Sequence, residues 1–243
     1  MDLYGDFFER YFVHMSFFAI GDLHLSLATN KEMDVFGGAW VNYVDKILKG
    51  FSVVKEDDVC ILCGDLSWGM TLDEAAADFA FVEKLPGKKI ILKGNHDYWW
   101  STVSKMTDFF NKTGIKTIEA LHNNCFFYGE TAICGTRGWL FDDTEGATHN
   151  KKILAREAAR LKISLEAAGD AAEKICFFHF PPRFKDFVCA DIIAVMNEYG
   201  VKKCYYGHIH GTGHKYAVQG VVEGIDFCMI SADYVKFTPV RIL

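Results

Sequence analysis

The sequence predicts an α/β protein in which mixed β-sheets are covered by helices. Short apolar runs of strand length alternate with longer segments of helical periodicity, an order typical of βαβ units and largely parallel sheets. Half of the 243 residues are apolar and 15% are aromatic, which provides for a large core. The chain has only four prolines and no linker-like stretch or internal repeat, so we expect one domain over residues 15–243.

The main strands are predicted from apolar runs that end at turn residues. The run within residues 58–63 is almost continuously apolar, which is typical of a strand buried on both faces. Comparable runs predict strands at residues 16–20, 89–92, 174–178 and 203–206. The segments between them predict helices at residues 35–50, 72–84, 101–112, 150–168 and 191–199. Gly114 and Gly169 provide stop signals for two of these helices.

Two regions predict antiparallel pairing. Residues 125–128 and 132–135 flank Gly129-Glu130, a typical hairpin connection. Residues 215–243 contain short strand-like runs separated by glycines, which also indicates antiparallel strands. Residues 1–14 add no recognisable element, so we expect either an N-terminal extension or a natural translation start at Met15.

Net charge, the length of apolar runs and the cysteine pattern indicate which partners and which location to expect. The net charge is −6 and no long basic run occurs, so we expect no long nucleic acid as a partner. No apolar run reaches the ~18 residues of a membrane helix, so no membrane partner is expected. The acidic N-terminus does not resemble a signal peptide, and most of the eight cysteines lie in apolar runs. We therefore expect reduced thiols and a cytoplasmic protein, with an oligomeric state that the sequence leaves open.

Five polar clusters each follow the end of a predicted strand. Any one of them could be an ordinary turn, helix cap or loop histidine, but together they hold five of the nine histidines. Because ligands bind beyond the carboxyl ends of strands in α/β sheets, we expect the clusters to converge on one site. The clusters are Asp22-Leu23-His24, Gly64-Asp65, Gly94-Asn95-His96-Asp97, His179 and Gly207-His208-Ile209-His210.

The residue types in these clusters favour metal binding. Histidine, aspartate and asparagine without thiolate suit Mn, Fe, Zn and similar divalent ions. Seven ligands are too many for one tetrahedral ion and instead suit two ions that share a carboxylate. The candidate ligands are Asp22, His24, Asp65, Asn95, His179, His208 and His210.

The order of the motifs resembles that of the calcineurin-like metallophosphoesterase superfamily. This resemblance implies a four-layer αββα sandwich with two mixed sheets between helices, and a binuclear metal site. It implies that Asp22, His24 and His210 bind the first ion. It further implies that Asp65 bridges both ions and that Asn95, His179 and His208 complete the second. His96 matches the catalytic histidine of the family, and Asp97 would orient and polarise it.

The implied activity is hydrolysis of a small phosphorylated substrate: a phosphomonoester, a phosphodiester or a nucleotide pyrophosphate. A hydroxide bridging two divalent ions, most readily Mn²⁺ but also Fe, Zn, Co or Ni, would attack phosphorus. His96 would donate a proton or stabilise charge. Two alternatives stay open: a nuclease acting on short oligonucleotides, and a non-catalytic metal-binding interaction module.

Two residues differ from the motifs of well-known branches of the superfamily, and these differences exclude some activities. Trp68 stands where purple acid phosphatases carry a tyrosine, and the motif ends in Asp97, where Ser/Thr protein phosphatases have glutamate. We therefore expect no iron–tyrosinate centre and no protein phosphatase activity.

Several residues near the motifs have two possible roles. Tyr98, Trp99 and Trp100 could form an aromatic wall for the substrate or could pack at the start of a helix. Arg137 and Arg183 could hold a phosphate oxygen or could be solvated loop residues.

Overall fold

The computed structural model describes residues 15–29, 31, 33–140 and 146–243. The predicted extension at residues 1–14 lies outside the described residues. The described chain forms two large mixed β-sheets and a two-stranded hairpin. The strands are β1 (Phe17–Ile20), β2 (Val59–Cys63), β3 (Lys88–Leu92), β4 (Ile118–Ala120), β5 (Phe126–Tyr128), β6 (Thr131–Thr136), β7 (Glu173–Phe178), β8 (Arg183–Phe184), β9 (Phe187–Val188), β10 (Lys203–Tyr206), β11 (Gly220–Val222), β12 (Ile225–Met229) and β13 (Val240–Arg241).

Each large sheet has a parallel centre and antiparallel edge strands. The first sheet has the order β13-β1-β2-β3-β4, in which only β13 is antiparallel to its neighbour. The second has the order β11-β12-β10-β7-β6-β5, with β11 and β5 antiparallel to their neighbours. The hairpin predicted around Gly129-Glu130 is confirmed as β5 and β6. The C-terminal prediction is only partly right, because β12 pairs in parallel with β10 and β13 joins the first sheet.

Alternating side chains along the strands show how the two sheets pack. In β1, Phe17 and Ala19 belong to an apolar cluster shared with Ile175 and Phe177 of β7 in the second sheet. Phe18, by contrast, packs with helices on the outer face of the first sheet. Because successive side chains point to opposite faces, the first cluster fills the space between the two sheets.

Helices cover the outer face of each sheet and complete four layers. Helices α1 (Tyr43–Gly50), α2 (Ala76–Glu83) and α3 (Val103–Thr113) pack on the first sheet, and α4 (Ala147–Glu166) and α5 (Ala190–Glu198) on the second. The predicted αββα sandwich is therefore confirmed. No helix in the described part of the chain has the length and apolar character needed to cross a membrane.

The helix predicted over residues 35–50 is shorter than expected. Residues Asp34–Phe36 and Gly38–Trp40 form separate 3₁₀ turns, and the α-helix begins only at Tyr43. Gly37 has φ 124°, a conformation that ends a helix, and two consecutive glycines weaken helical propensity further. The helix predicted over 101–112 is confirmed, with Thr102 as its N-cap and Gly114 in the left-handed conformation at its end.

Candidate metal centre

The topology brings the seven predicted ligands to one edge of the sandwich. Three of the motifs follow β1, β2 and β3, which are adjacent parallel strands of the first sheet. The other two follow β7 and β10, which are adjacent parallel strands of the second sheet. Since the two sheets are stacked, the carboxyl ends of all five strands meet at this edge.

The first group of ligands consists of Asp22, His24 and His210, whose donor atoms lie within 4.8 Å of one another. The two histidines face each other, with 3.3 Å between their Nε2 atoms. The Nε2 atom of His210 also lies 3.6 Å from an oxygen of Asp22. Three converging donors of this kind form an open site, which leaves further positions for water or substrate.

The second group consists of Asp65, His179 and His208, again with donor atoms within 4.8 Å of one another. The Nδ1 atom of His208 lies 3.2 Å from the Nε2 atom of His179. The side-chain oxygen of Asn95 approaches the same Nε2 atom to 2.6 Å, so Asn95 belongs to this group as a fourth donor.

Asp65 lies between the two groups. Its Oδ2 atom is 3.7 Å from the Nε2 of His24 and 3.6 Å from the Nε2 of His179. Its other oxygen accepts a hydrogen bond of 2.8 Å from the backbone N–H of His96, which fixes the carboxylate. One carboxylate therefore faces both groups of donors, which is the arrangement that two closely spaced ions require.

Unusual backbone conformations hold these side chains in place. Asp22, His24, Asp65 and His208 all have positive φ, between 47° and 71°. Such conformations are costly for residues with a Cβ atom and persist where the surrounding structure enforces them. They accumulate here at four of the predicted ligands, which marks this edge of the sandwich as a functional site.

Two glycines allow the motif loops to approach closely. A Cβ atom on Gly94 would lie 2.1 Å from a carboxylate oxygen of Asp65, and one on Gly207 would lie 2.4 Å from an oxygen of Asp22. Neither position has room for another side chain, so the glycine in each motif is a packing requirement of the metal centre.

Burial sets the charges of the ligands. It lowers the pKa of His179 and of His208 to about 3, and it lowers the pKa of His24 well below its usual value. These three rings are therefore neutral, the form in which histidine binds metals. Burial, followed by repulsion from Asp97 and Asp22, raises the pKa of Asp65 well above its usual value. Closely spaced carboxylates and neutral imidazoles are groups that bind divalent cations.

His210 differs from the other histidines because two carboxylates flank it. Burial alone would lower its pKa, but hydrogen bonds and charge interactions with Asp22 and Asp233 raise the pKa of His210 to about 10. Its Nδ1 lies 2.8 Å from Asp233, which also accepts a hydrogen bond of 3.0 Å from the backbone N–H of Gly211. Asp233 was missed in the sequence because it stands outside the five motifs. Its contact leaves the Nε2 of His210 facing the first group of ligands.

Asp97 does not have the contact with His96 that the resemblance implies. Within the described part of the chain, the Nδ1 of His96 is buried without a hydrogen-bond partner. The Asp97 carboxylate instead accepts hydrogen bonds from the backbone N–H groups of Asp65 (2.9 Å), Leu66 (2.8 Å), Ser67 (3.4 Å) and Gly94 (2.6 Å) and from the indole N–H of Trp99 (3.1 Å). The prediction that Asp97 orients and polarises His96 is therefore wrong. Asp97 holds together the loops after β2 and β3.

Of the three aromatic residues after the third motif, Trp99 and Trp100 pack in the core, whereas the ring of Tyr98 lies 6.2 Å from that of His96. Trp99 is 3% exposed and packs edge-on against Phe79, which confirms the packing interpretation for this residue. Trp100 packs against the same core, and Tyr98 is exposed. The aromatic side chains beside the ligands are instead Trp40 and Trp68.

Both candidate arginines have carboxylate partners. The guanidinium of Arg137 lies over the ring of Trp139 and 3.9 Å from a carboxylate oxygen of Glu157. The backbone carbonyl of Arg137 accepts a hydrogen bond from the backbone N–H of His179. Arg183 forms an ion pair with Glu223. Neither arginine lines the cavity beside the metal ligands.

The fold and the donor groups together define a hydrolase of the binuclear-metal type. Comparison with known sequences agrees: residues 15–212 match the calcineurin-like phosphoesterase family, and the chain belongs to this family. It is accordingly an enzyme that hydrolyses phosphate esters, and the family implies a binuclear centre of divalent metal ions. None of the curated protein sequences matches the chain.

Solved structures show the same fold at low sequence identity. Phosphopantetheinyl hydrolase from Mycobacterium tuberculosis is 15% identical with a TM-score of 0.57, over 94% of this chain and 95% of that chain. A protein of unknown function from Aquifex aeolicus is 14% identical with a TM-score of 0.50, over 93% of this chain and 95% of that chain. A protein from Thermus thermophilus is 14% identical with a TM-score of 0.52, over 81% of this chain and 82% of that chain. These similarities concern the fold alone.

Proposed function

We propose that the protein hydrolyses a small phosphorylated substrate, either a phosphomonoester, a phosphodiester or a nucleotide pyrophosphate. Asp22, His24 and His210 would hold the first ion and Asn95, His179 and His208 the second. The observation that carries this proposal is the position of Asp65, with one oxygen within 3.7 Å of a ring nitrogen in each group. A carboxylate in this position suits a bridging ligand.

We further propose Mn²⁺ as the preferred ion, since histidine and carboxylate donors without thiolate suit it. When bound, a pair of divalent ions neutralises charge on the phosphoryl oxygens and makes water a better nucleophile at neutral pH. The protein's own contribution would be to hold the donors in fixed positions through the hydrogen bonds of Asp97 and Asp233.

His96 is the residue that we propose to act on the phosphoryl group or the leaving oxygen. It lines the cavity beside the ligands, and its Nδ1 is free of hydrogen bonds to other described residues. Burial, followed by repulsion from Lys31, lowers the pKa of His96, which favours a neutral ring at pH 7. A neutral ring still donates one N–H, so stabilisation of charge on an oxygen is the role that this environment favours.

Two further proposals concern the chain as a whole. We propose that residues 15–243 form one domain, because β13 near the C-terminus pairs with β1. We also propose a cytoplasmic location, which is supported by eight cysteines that are all free thiols.

The test is a substrate panel on Mn²⁺-loaded protein. It compares p-nitrophenyl phosphate, bis-p-nitrophenyl phosphate, a phosphopantetheine ester and a short single-stranded oligonucleotide. Asp65→Asn should lose bound metal and turnover together, whereas Asp57→Asn, at an exposed position, should keep both. Full turnover by Asp65→Asn would refute the proposed metal centre. Faster cleavage of the oligonucleotide than of the small esters would favour a nuclease.

Absence of turnover in the metal-loaded protein and in His96→Ala alike would instead favour a non-catalytic module. Loaded metal should be measured in the same samples by elemental analysis. A protein that holds two ions and still hydrolyses none of the panel would contradict the enzyme proposal while keeping the metal centre.

A further inference from the structure

A cavity of about 150 Å³ opens directly on the metal centre, and its two sides differ in chemistry. The polar side consists of metal-ligand candidates and His96. The other side is an apolar wall formed by Met33, Phe36, Trp40 and Trp68. Holding two ions does not require such a wall, so the wall needs an explanation of its own.

The apolar wall is built on the metal ligands themselves. Trp40 is 2% exposed and lies edge-on to His24 and His210, with ring centroids 5.6 Å and 5.5 Å away. The ring of Trp68 lies stacked beside His24 at 5.2 Å and is 4.3 Å from the ring of His96. The wall therefore adjoins both the ligands and the residue proposed to act on the leaving oxygen.

The remaining contacts keep the wall apolar. The indole N–H of Trp68 donates a hydrogen bond of 3.1 Å to the sulfur of Met33, so this polar group is already used within the wall. Phe36 is 57% exposed and lines the same cavity. Phe36 therefore presents an aromatic surface to solvent at the apolar side of this cavity.

We propose that this wall is the leaving-group subsite and that it receives an aromatic ring joined through oxygen to the scissile phosphorus. This inference rests on the proposed function and names its substrate class: aryl phosphate esters and close planar equivalents. The cavity is small, about 150 Å³ including the space beside the metal-ligand candidates, so the wall suits a single ring rather than a larger group. Lys31, whose ammonium lies 4.1 Å from the centre of the Trp68 ring, adds a positive charge suited to an anionic ester.

The chemistry of such a hydrolysis balances without any further reactant. A bond forms between phosphorus and the oxygen of water, and the bond between phosphorus and the ring oxygen breaks. The ring oxygen leaves and ends with a proton from that water. Because an aryl oxide is a good leaving group, His96 needs only to donate a hydrogen bond to it.

The test measures binding rather than turnover. Phenylphosphonate and methylphosphonate share the same anionic head, and their carbon–phosphorus bond removes any difference in leaving-group reactivity. Titration calorimetry on Mn²⁺-loaded protein should give a Kd about tenfold lower for phenylphosphonate, which corresponds to about 1.4 kcal/mol. Stacking on aromatic side chains produces effects of this size.

Two variants test whether the apolar wall causes the tighter binding of phenylphosphonate. Phe36→Ala should weaken phenylphosphonate binding about fivefold and leave methylphosphonate binding unchanged. Val35→Ala is the matched control, because Val35 belongs to the same 3₁₀ turn, is 73% exposed and does not line the cavity. It should leave both affinities unchanged.

Equal Kd values for the two phosphonates, or equal losses in Phe36→Ala for both, would overturn the subsite. If the same protein still hydrolyses bis-p-nitrophenyl phosphate, only the subsite proposal fails. If it neither hydrolyses any ester nor binds either phosphonate, the proposed function fails with it.

Discussion

Replacement of Asp97 by asparagine tests what this buried carboxylate does. Asparagine has nearly the same shape, but one oxygen becomes an NH₂ group that cannot accept a hydrogen bond. The better orientation keeps an oxygen toward Leu66, Ser67 and Trp99, and it turns the NH₂ group toward the backbone N–H groups of Asp65 and Gly94.

The magnitude follows from those two lost acceptors. Their hydrogen bonds measure 2.9 Å and 2.6 Å, and the carboxylate is 1% exposed, so water does not replace it readily. A buried donor without a partner costs about 1–3 kcal/mol, and two of them give roughly 2–6 kcal/mol. This is a large part of the ~5–15 kcal/mol by which domains are stable.

The assay is urea unfolding of metal-free protein, which separates the fold from metal binding. Asp97→Asn should lower the free energy of unfolding by the stated amount, and Asp57→Asn should not change it. Calorimetry should also show weaker Mn²⁺ binding, because the loop that carries Asp65 loses its support. Unchanged stability together with an altered pH profile of kcat would refute this reasoning and return Asp97 to a role on His96.

A double variant makes the same distinction in turnover. If Asp97 acted only through His96, Asp97→Asn would add no loss to His96→Ala. We expect a further loss, because the loops after β2 and β3 are disturbed whether or not the imidazole is present.

Three further predictions concern the metal centre, and a fourth concerns two core cysteines. Asp233→Ala should weaken metal binding about 10–100-fold, as removal of a hydrogen-bond partner of a ligating histidine typically does, measured by calorimetry. Gly207→Ala should disrupt the first ligand group and weaken metal binding, because the added Cβ would lie 2.4 Å from a carboxylate oxygen of Asp22. Gly38→Ala, which has open space around it, should leave metal binding unchanged in the same assay. Each bound Mn²⁺, at 100 times its Kd, should stabilise the fold by about 2.7 kcal/mol, seen as a melting temperature that EDTA lowers. Burial raises the pKa of Cys134 to about 12 and of Cys189 to about 11, so these thiols should stay protonated and unreactive toward a disulfide reagent at pH 8 until the protein unfolds.

The convergence of the candidate ligands on one edge was predictable because its signal is local and repeated. Each motif places polar side chains after an apolar run, and parallel strands deliver their carboxyl ends to one edge. Asp233 carries a weaker form of the same signal, since it stands four residues beyond the end of β12. It was missed because a single aspartate after a strand is also an ordinary turn residue.

The fold prediction was wrong where tertiary structure overrides the local sequence pattern. Apolar periodicity runs through residues 35–50, but Gly37 and Gly38 divide the segment into turns. The strand-like runs in the C-terminal region identified strands and the antiparallel pair of β11 and β12, but not the remaining partners. Strand β12 also pairs with β10, and β13 pairs with β1, more than 200 residues away. Strand direction depends on such distant contacts, which a single sequence does not display.

Asp22 and His24 reach one site as expected, but for a different physical reason. In an extended strand, side chains at i and i+2 point the same way, which predicts that Asp22 and His24 reach one site. Both residues in fact have positive φ and lie beyond β1. Their positions come from neighbouring loops. The N–H of Asp22 donates to the carbonyl of Gly64, and the N–H of His24 donates to the carbonyl of Asp65.

The same interlocking extends to the second sheet. The backbone N–H of His208 donates to the Asp22 carboxylate at 2.9 Å, and the His179 ring contacts the carbonyl of Cys63 at 3.1 Å. Each strained loop is thus held by contacts from the next, and no motif could keep its conformation alone. We therefore expect the five motifs to behave as one cooperative unit, so that damage to any one of them reaches both ligand groups.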